Sequence, residues 1–230
     1  MTGIERSIRI ARQSLAAAAA LALASGCGGD FTGAGDALRD AEAGDLATLM
    51  ARQTSRVMLA QAEEAPSPGG TVPVSSELIF DRGAACPRGG SAAVTGRVAS
   101  SSTVEEDLLT LDFRASLVHD SCEVRLGDRS VTLVGAPAVG LDAVFERRGD
   151  RLSGPQEARL NGQIRWTAAG GVGAACQVEL TTTLSVEQKS LAASGRVCGV
   201  AVDRTVSVDP TLETDRRPGR SAAAPAAEKS

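Results

Sequence analysis

Strict alternation of apolar and polar residues limits the folds open to this chain of 230 residues more than any other feature. Residues 109–117, 158–166 and 176–186 place an apolar or small side chain at every second position and polar side chains between them. A period of two is that of a β-strand with one face buried and one face in water. Because parallel sheets are usually covered on both faces, this half-polar pattern predicts antiparallel strands.

Shorter runs of the same kind predict six further strands, at residues 78–82, 92–100, 122–126, 130–134, 139–147 and 191–202. Clusters of Gly, Pro, Ser and Asp lie between the runs and are typical of turns. We therefore predict a mainly β domain at residues 72–208. The expected architecture is an antiparallel meander that forms a large twisted sheet, a flattened barrel or a sandwich.

One helix is expected before this domain, at residues 45–65, where the apolar period changes to that of an α-helix. Four apolar residues mark one face of it: Leu46, Leu49, Met50 and Val57. The Gly-rich residues 27–44 before the helix are expected to form a flexible tether. Residues 209–230 combine Pro, scattered charge and no period, which predicts a disordered tail.

Residues 1–26 have the composition of an export signal. Arg6, Arg9 and Arg12 precede an uncharged stretch of Leu, Ala, Ser and Gly at 15–26, which is too short to span a bilayer. Two cleavage sites compete. Ala22-Leu23-Ala24 fits an ordinary signal peptidase, whereas Leu23-Ala24-Ser25-Gly26-Cys27 resembles the lipobox of bacterial lipoproteins, in which the Cys27 thiol carries a lipid.

The cysteine count favours the lipobox. The chain has five cysteines, so ordinary secretion would leave an odd thiol in an oxidising compartment. Lipidation of Cys27 removes one cysteine and leaves an even set: Cys86, Cys122, Cys176 and Cys198. The resemblance to lipoproteins implies a membrane anchor through the lipid on Cys27. Gly28 rather than Asp follows it, which implies the outer membrane of the bacterial cell envelope, facing the periplasm or the cell surface.

Of the three ways to pair four cysteines, we favour Cys86–Cys122 together with Cys176–Cys198. The second pair flanks a predicted hairpin and is symmetric about Glu187. The alternation would turn one cysteine of each pair away from its partner, so we expect a bulge or tight turn at residues 119–121 and a bulge near residues 198–199.

The spacing of several short motifs resembles a type of secreted bacterial lipoprotein of unassigned function. The matching residues are Cys86-Pro87-Arg88-Gly89-Gly90, Ser121-Cys122, Asn161-Gly162, Ala175-Cys176 and Gly195-Arg196-Val197-Cys198-Gly199, over residues 80–202. The resemblance implies a disulfide-containing β domain and an exported location. It implies no catalytic residue.

Composition argues against several classes of function. The chain has one His, no Tyr and five aromatic residues, and its net charge is -4, which disfavours nucleic-acid binding and a His-rich metal site. No nucleotide-binding or Cys-x-x-Cys motif occurs, so we expect no cofactor. His119-Asp120-Ser121 suggests a hydrolase triad, but neighbouring residues on a strand point to opposite faces, which disfavours it.

We therefore expect a non-enzymatic, lipid-anchored protein of the cell envelope with a structural or interaction role. The alternative is a carrier or sensor of an apolar, lipid-like ligand, with the helix as a lid over a curved sheet. Its ligand-binding residues would be Leu109, Leu111, Phe113, Phe145 and Trp166. A role of the same aromatic residues as an ordinary core is favoured over this alternative.

Overall fold

A computed structural model describes residues 38–65, 75–103, 107–135, 138–149, 151–168 and 173–208, all of which belong to one compact unit. The predicted signal peptide, the tether up to residue 37 and the predicted tail at 209–230 lie outside the described residues. One helix and ten strands follow in chain order: α1 (Asp40–Glu64), β1 (Ser75–Ala85), β2 (Gly89–Thr103), β3 (Leu108–Leu126), β4 (Arg129–Val134), β5 (Val139–Arg148), β6 (Arg151–Leu152), β7 (Gln156–Ala168), β8 (Gly173–Ser185), β9 (Ser190–Val197) and β10 (Val200–Ser207).

All ten strands form one antiparallel sheet, which confirms the predicted meander in its single-sheet form. The order across the sheet is β1-β2-β3-β4-β7-β8-β9-β10. Strands β4 and β5 both lie between β3 and β7, and each pairs with a different part of these two strands. The short strand β6 forms a hairpin with β5. Among the described strands β1 and β10 each pair on one side only, so the sheet does not close on itself.

Helix α1 packs on the face of the sheet that carries the apolar side chains, which we call the inner face. It contacts β1 near one edge and β9 and β10 at the other, as well as β3, β5 and β8 between them. The buried side chains of the helix and the sheet form one hydrophobic cluster. The opposite side of the sheet, the outer face, carries the polar residues of the alternation. Over the described residues, no helix combines the length and hydrophobicity that crossing a bilayer requires.

The helix begins earlier than predicted. Its first residue is Asp40, so the last residues of the predicted tether at 27–44 are helical. The Glu42 carboxylate accepts a hydrogen bond from the Arg39 backbone N–H at 2.9 Å. The acidic residues of the first turn also interact favourably with the partial positive charge at the N-terminal end of the helix. The predicted start at residue 45 is wrong because this capping interaction starts the helix more than one turn before it.

The break in the alternation of strand β3 is confirmed. Ser91 of β2 lies opposite Asp120, but Gly89 lies opposite Glu123, so β3 carries one extra residue in a bulge. Ser121 has a positive φ of 52°, and the buried positions change from odd to even numbers after it. The separate strands predicted at 109–117 and 122–126 are therefore one strand, bent at Ser121.

The strand predicted at 191–202 is wrong in its extent, because two strands occupy this segment. Cys198 and Gly199 have positive φ values of 54° and 78° and form a two-residue turn between β9 and β10. Such a turn matches the twist of antiparallel strands and favours glycine in the second position. The bulge expected near residues 198–199 is thus a hairpin turn.

Candidate functional site: the apolar inner face and its helix

The five residues predicted to bind an apolar ligand lie together on the inner face. Leu109, Leu111 and Phe113 follow each other on β3, Phe145 lies opposite Leu111 on β5, and Trp166 is on β7. All five are at most 3% exposed. Alternation alone brings them to one side, because β3, β5 and β7 present residues of the same face in adjacent rows.

Three phenylalanine rings extend across the centre of this face. Phe113 contacts Phe80 of β1 edge to face, with ring centroids 6.3 Å apart, and contacts Phe145 in the same way at 5.4 Å. Such arrangements add about 0.5–1.5 kcal/mol per pair to the burial of the rings. The rings belong to the same buried cluster as Met50 and Met58 of α1. The helix packs against β1, β3 and β5, the three strands that carry these rings.

Trp166 lies next to a cation that also contacts the first turn of the helix. The Arg129 guanidinium carbon is 4.9 Å from the centre of the Trp166 ring, a cation–π distance. Arg129 also donates to the Glu42 carboxylate at 3.0 Å. Within the described residues the buried indole N–H of Trp166 makes no hydrogen bond. A buried donor without an acceptor costs about 1–3 kcal/mol.

Charged groups tie the beginning of the helix to the hairpin between β3 and β4. Glu42 is 1% exposed and interacts with Arg39 at 2.8 Å and with Arg129 at 3.0 Å. Burial alone would raise the pKa of Glu42, but the hydrogen bonds from Arg39 and the charge of Arg129 outweigh burial and hold it below its usual range. Asp45 accepts a hydrogen bond from the backbone N–H of Gly127 at 2.9 Å.

His119 ties the middle of the helix to the sheet. Its Nε2 atom lies 2.9 Å from the Oε1 atom of Gln53, and the Nε2 atom of Gln53 donates to the Ala85 carbonyl at 3.3 Å. Burial lowers the pKa of His119 from 6.5 to about 4, because the charged ring would be poorly solvated there.

The residues after His119 do not form a triad with it. Asp120 and Ser121 are exposed, and the Ser121 hydroxyl donates to the Asp120 carboxylate at 3.4 Å. The imidazole instead faces Gln53 in the interior. The three side chains are therefore not arranged as nucleophile, base and orienting carboxylate.

Arg147 ties the end of the helix to strand β5, an interaction that the sequence interpretation missed. Its guanidinium donates to the carbonyl oxygens of Ala62 at 2.7 Å and Ala65 at 3.1 Å. A cation at this position also interacts favourably with the partial negative charge at the C-terminal end of the helix. The predicted strand at 139–147 includes Arg147, which continues the odd-numbered inner positions of β5 and is 6% exposed.

The two predicted disulfides are present. Cys86 and Cys122 have Cα atoms 5.4 Å apart and join the end of β1 to β3 beyond its bulge. Cys176 and Cys198 have Cα atoms 4.8 Å apart and join β8 to the turn between β9 and β10. Four of the five cysteines are therefore paired with each other, and Cys27 lies outside the described residues.

A cavity of about 510 Å³ lies on the outer face, opposite the helix. Its lining residues are Asp112, Arg114, Asp142, Ala143, Val144, Glu157 and Arg159. Arg114 lies 3.7 Å from Asp112, and Arg159 lies 3.2 Å from Glu157. These ion pairs offset most of the charge of the cavity. In the described ranges no group of three or more His, Cys, Asp or Glu side chains is placed to hold a metal ion.

Comparison of the chain with protein-family models, with curated proteins and with solved structures finds no match.

Proposed function

We propose that this protein is exported and anchored to the bacterial cell envelope by a lipid on Cys27, and that its β domain has a non-enzymatic interaction role. The observation that carries the proposal is the pairing of the other four cysteines in two disulfides. Structural disulfides form and persist in oxidising compartments, which supports export. Pairing also leaves Cys27 as the one remaining cysteine, which supports its use as the lipid attachment site.

The sequence before Cys27 supports the same location. Three arginines and an uncharged stretch have the order of an export signal, and residues 23–27 resemble a lipobox. Gly28 after the cysteine favours the outer membrane, facing the periplasm or the surface. A lipoprotein-type anchor with several acyl chains would hold the protein stably, since one chain alone binds only marginally.

Mass spectrometry of the mature N-terminus, after expression in a Gram-negative host, tests this proposal. We expect a chain that begins with diacylglyceryl-modified Cys27, and a Cys27→Ser variant that loses both the lipid mass and the membrane fraction. A Cys86→Ser variant, which removes a disulfide partner, serves as the control and should keep the lipid. A mature chain that begins with free Ser25 would refute the anchor.

The interaction role, rather than catalysis, is supported by the surroundings of His119. The one histidine of the chain is buried against Gln53 and its pKa is lowered to about 4, so it is neutral and enclosed at neutral pH. A general base needs access to the proton that it removes. The non-enzymatic role predicts that His119→Gln changes stability without changing any hydrolytic activity of the purified chain.

A second candidate function, a carrier or sensor of a lipid-like ligand, is favoured by one observation. The apolar inner face contains a buried indole N–H, that of Trp166, with no acceptor among the described residues. A fatty acid or phospholipid has an apolar chain for the aromatic row and a carbonyl or carboxylate acceptor for that N–H. Helix α1 packs on the inner face, so it would have to move aside as a lid for such a ligand to enter.

The fluorescence of Trp166 tests this second function, because it is the one tryptophan of the chain. We expect oleate to change its emission and acetate at the same concentration to leave it unchanged. Emission that does not respond to oleate or to phospholipid vesicles would end the carrier hypothesis.

A further inference from the structure

Strand β1 forms an open edge of the sheet. It has 11 residues, and its pairing with β2 runs without interruption from Ser75 opposite Ser101 to Ala85 opposite Ser91. Among the described strands β1 has no neighbour on its other side. The backbone N–H and C=O groups on that side therefore have no strand partner among the described residues, and such groups can pair with another extended chain.

The side chains of β1 do not protect this edge as fully as those of β10 protect the other. Leu78 is 55% exposed and Ile79 is 88% exposed, and β1 contains neither Lys nor Pro nor a bulge, although it has three charged residues, Glu77, Asp81 and Arg82. Natural edge strands usually carry such features, which prevent pairing with other chains. Strand β10 is shorter, with 8 residues, and its valines are buried or partly buried, so it exposes no large apolar side chain.

The charges around Ile79 indicate what kind of strand fits. Glu77 and Asp81 share the outer face with Ile79, so this side of the edge has the pattern acid, apolar, acid. Glu77 lies 3.5 Å from Arg97 of β2, but both side chains are more than half exposed, so this pair contributes little.

The same charges disfavour a second copy of this chain as the partner. An antiparallel pair of two β1 strands that places Ile79 opposite Ile79 also places Glu77 opposite Asp81. Like charges directly opposite each other destabilise a strand pair. A strand with basic residues opposite Glu77 and Asp81 and apolar residues between them satisfies both the charges and the exposed Leu78.

We propose that β1 is a docking edge for an extended segment of a partner protein, which adds to the sheet as a further strand. The segment has the pattern basic, three apolar residues, basic. Backbone hydrogen bonds supply the attachment and the alternating side chains supply the specificity. Because the pattern is symmetric, it fits in either strand direction. The biological setting rests on the interaction role proposed above, whereas the docking edge is tested without reference to lipidation.

Fluorescence anisotropy with defined peptides tests the docking edge on the purified full-length chain. The probe is a fluorescein-labelled peptide that contains Lys-Val-Ile-Val-Lys between Ser-Gly flanks. We expect saturable binding, and at least about ten-fold weaker binding of a Glu-Val-Ile-Val-Glu peptide. Ile79→Lys should weaken binding of the lysine peptide by at least about ten-fold, because it removes the apolar contact and adds repulsion.

Val144→Lys is the matched control, since Val144 is also an exposed apolar residue, at 52%, but lies on β5 within the sheet. Its peptide affinity should stay within about two-fold of the unchanged protein. Ile79 is almost fully exposed, so its substitution should not disturb folding, and unchanged circular dichroism would verify this.

Backbone methylation of the peptide separates strand addition from simple charge attraction. Alternate residues of an added strand direct their N–H groups toward β1, so N-methylation of one alternate set should abolish binding and methylation of the other should not. Equal effects of the two sets, or equal affinity of the acidic and basic peptides, would overturn the proposal. A dimer of the chain alone that Ile79→Lys dissociates in light scattering would also overturn it, in favour of a second copy.

Discussion

Protonation of His119 should weaken the fold by an amount that follows from its surroundings. The ring is 3% exposed, contacts Gln53 of the helix, and has a pKa of about 4. In the unfolded chain the pKa returns to 6.5. The unfolded state therefore takes up a proton at a higher pH than the folded state, and acid favours unfolding.

The size and the pH window of this effect follow from the two pKa values. Above 6.5 the ring is neutral in both states and has no effect on the pH dependence. Between 6.5 and about 4 only the unfolded state is protonated, and stability falls as the pH falls. At about 1.4 kcal/mol for each pH unit, the full loss is about 3 kcal/mol, of which about 2 kcal/mol is lost between pH 7 and pH 5.

Chemical denaturation of the full-length chain and of a His119→Gln variant, each at pH 7 and pH 5, measures this loss. The variant cannot titrate at this position, while the carboxylates titrate alike in both proteins, so the difference between the two losses isolates His119. Since it is the one histidine of the chain, NMR of its imidazole protons in a preparation without a His tag gives the folded pKa directly. A midpoint near 6.5, or equal losses in the two proteins, would refute the reasoning.

Two further substitutions test the helix end and the bulge. Arg147→Met leaves two carbonyl oxygens at the end of the helix without their donor, so it should lower the free energy of unfolding by about 2–4 kcal/mol. Its control is Arg148→Met, on the exposed face of the same strand, which should change the free energy of unfolding by less than about 0.5 kcal/mol. Gly90→Ala should cost more than about 2 kcal/mol, because Gly90 has a φ of 76° and an added Cβ would collide with the carbonyl of Ser121. Gly83→Ala is its control and should be neutral or stabilising, since no atom lies within 4 Å of an added Cβ. Urea denaturation measures all four variants, and equal costs for the members of either pair would contradict the explanation given for it.

The alternation of residues predicts most of this fold because a half-buried antiparallel strand requires it. Nearly every predicted strand is present, and the error at 191–202 arises where two strands of like pattern are joined by a turn of only two residues. A turn that short leaves no polar gap in the sequence. The sequence also could not predict that β4 and β5 both lie between β3 and β7, because tertiary contacts determine which strands pair.

The candidate site was predictable only in its apolar part. Parity places Leu111, Phe113 and Phe145 on one face, and the structure brings them together. The polar ties to the helix escaped prediction because each joins residues far apart in the chain, such as Gln53 with His119 and Arg147 with the end of α1. The alternation nevertheless places Arg147 among the inward-facing positions of its strand, and a buried charge needs partners.

The two breaks in the alternation explain how the disulfides form. Ser121 and Cys198 have positive φ values of 52° and 54°, a conformation that costs a non-glycine residue about 1–2 kcal/mol and persists only where other interactions enforce it. The extra residue at Ser121 turns Cys122 to the inner face, where it reaches Cys86. The turn at Cys198 carries that residue past the end of β9 to Cys176. Each irregularity is therefore the local cost of bringing one cysteine to its partner, and the covalent bond that results holds the irregular backbone in place.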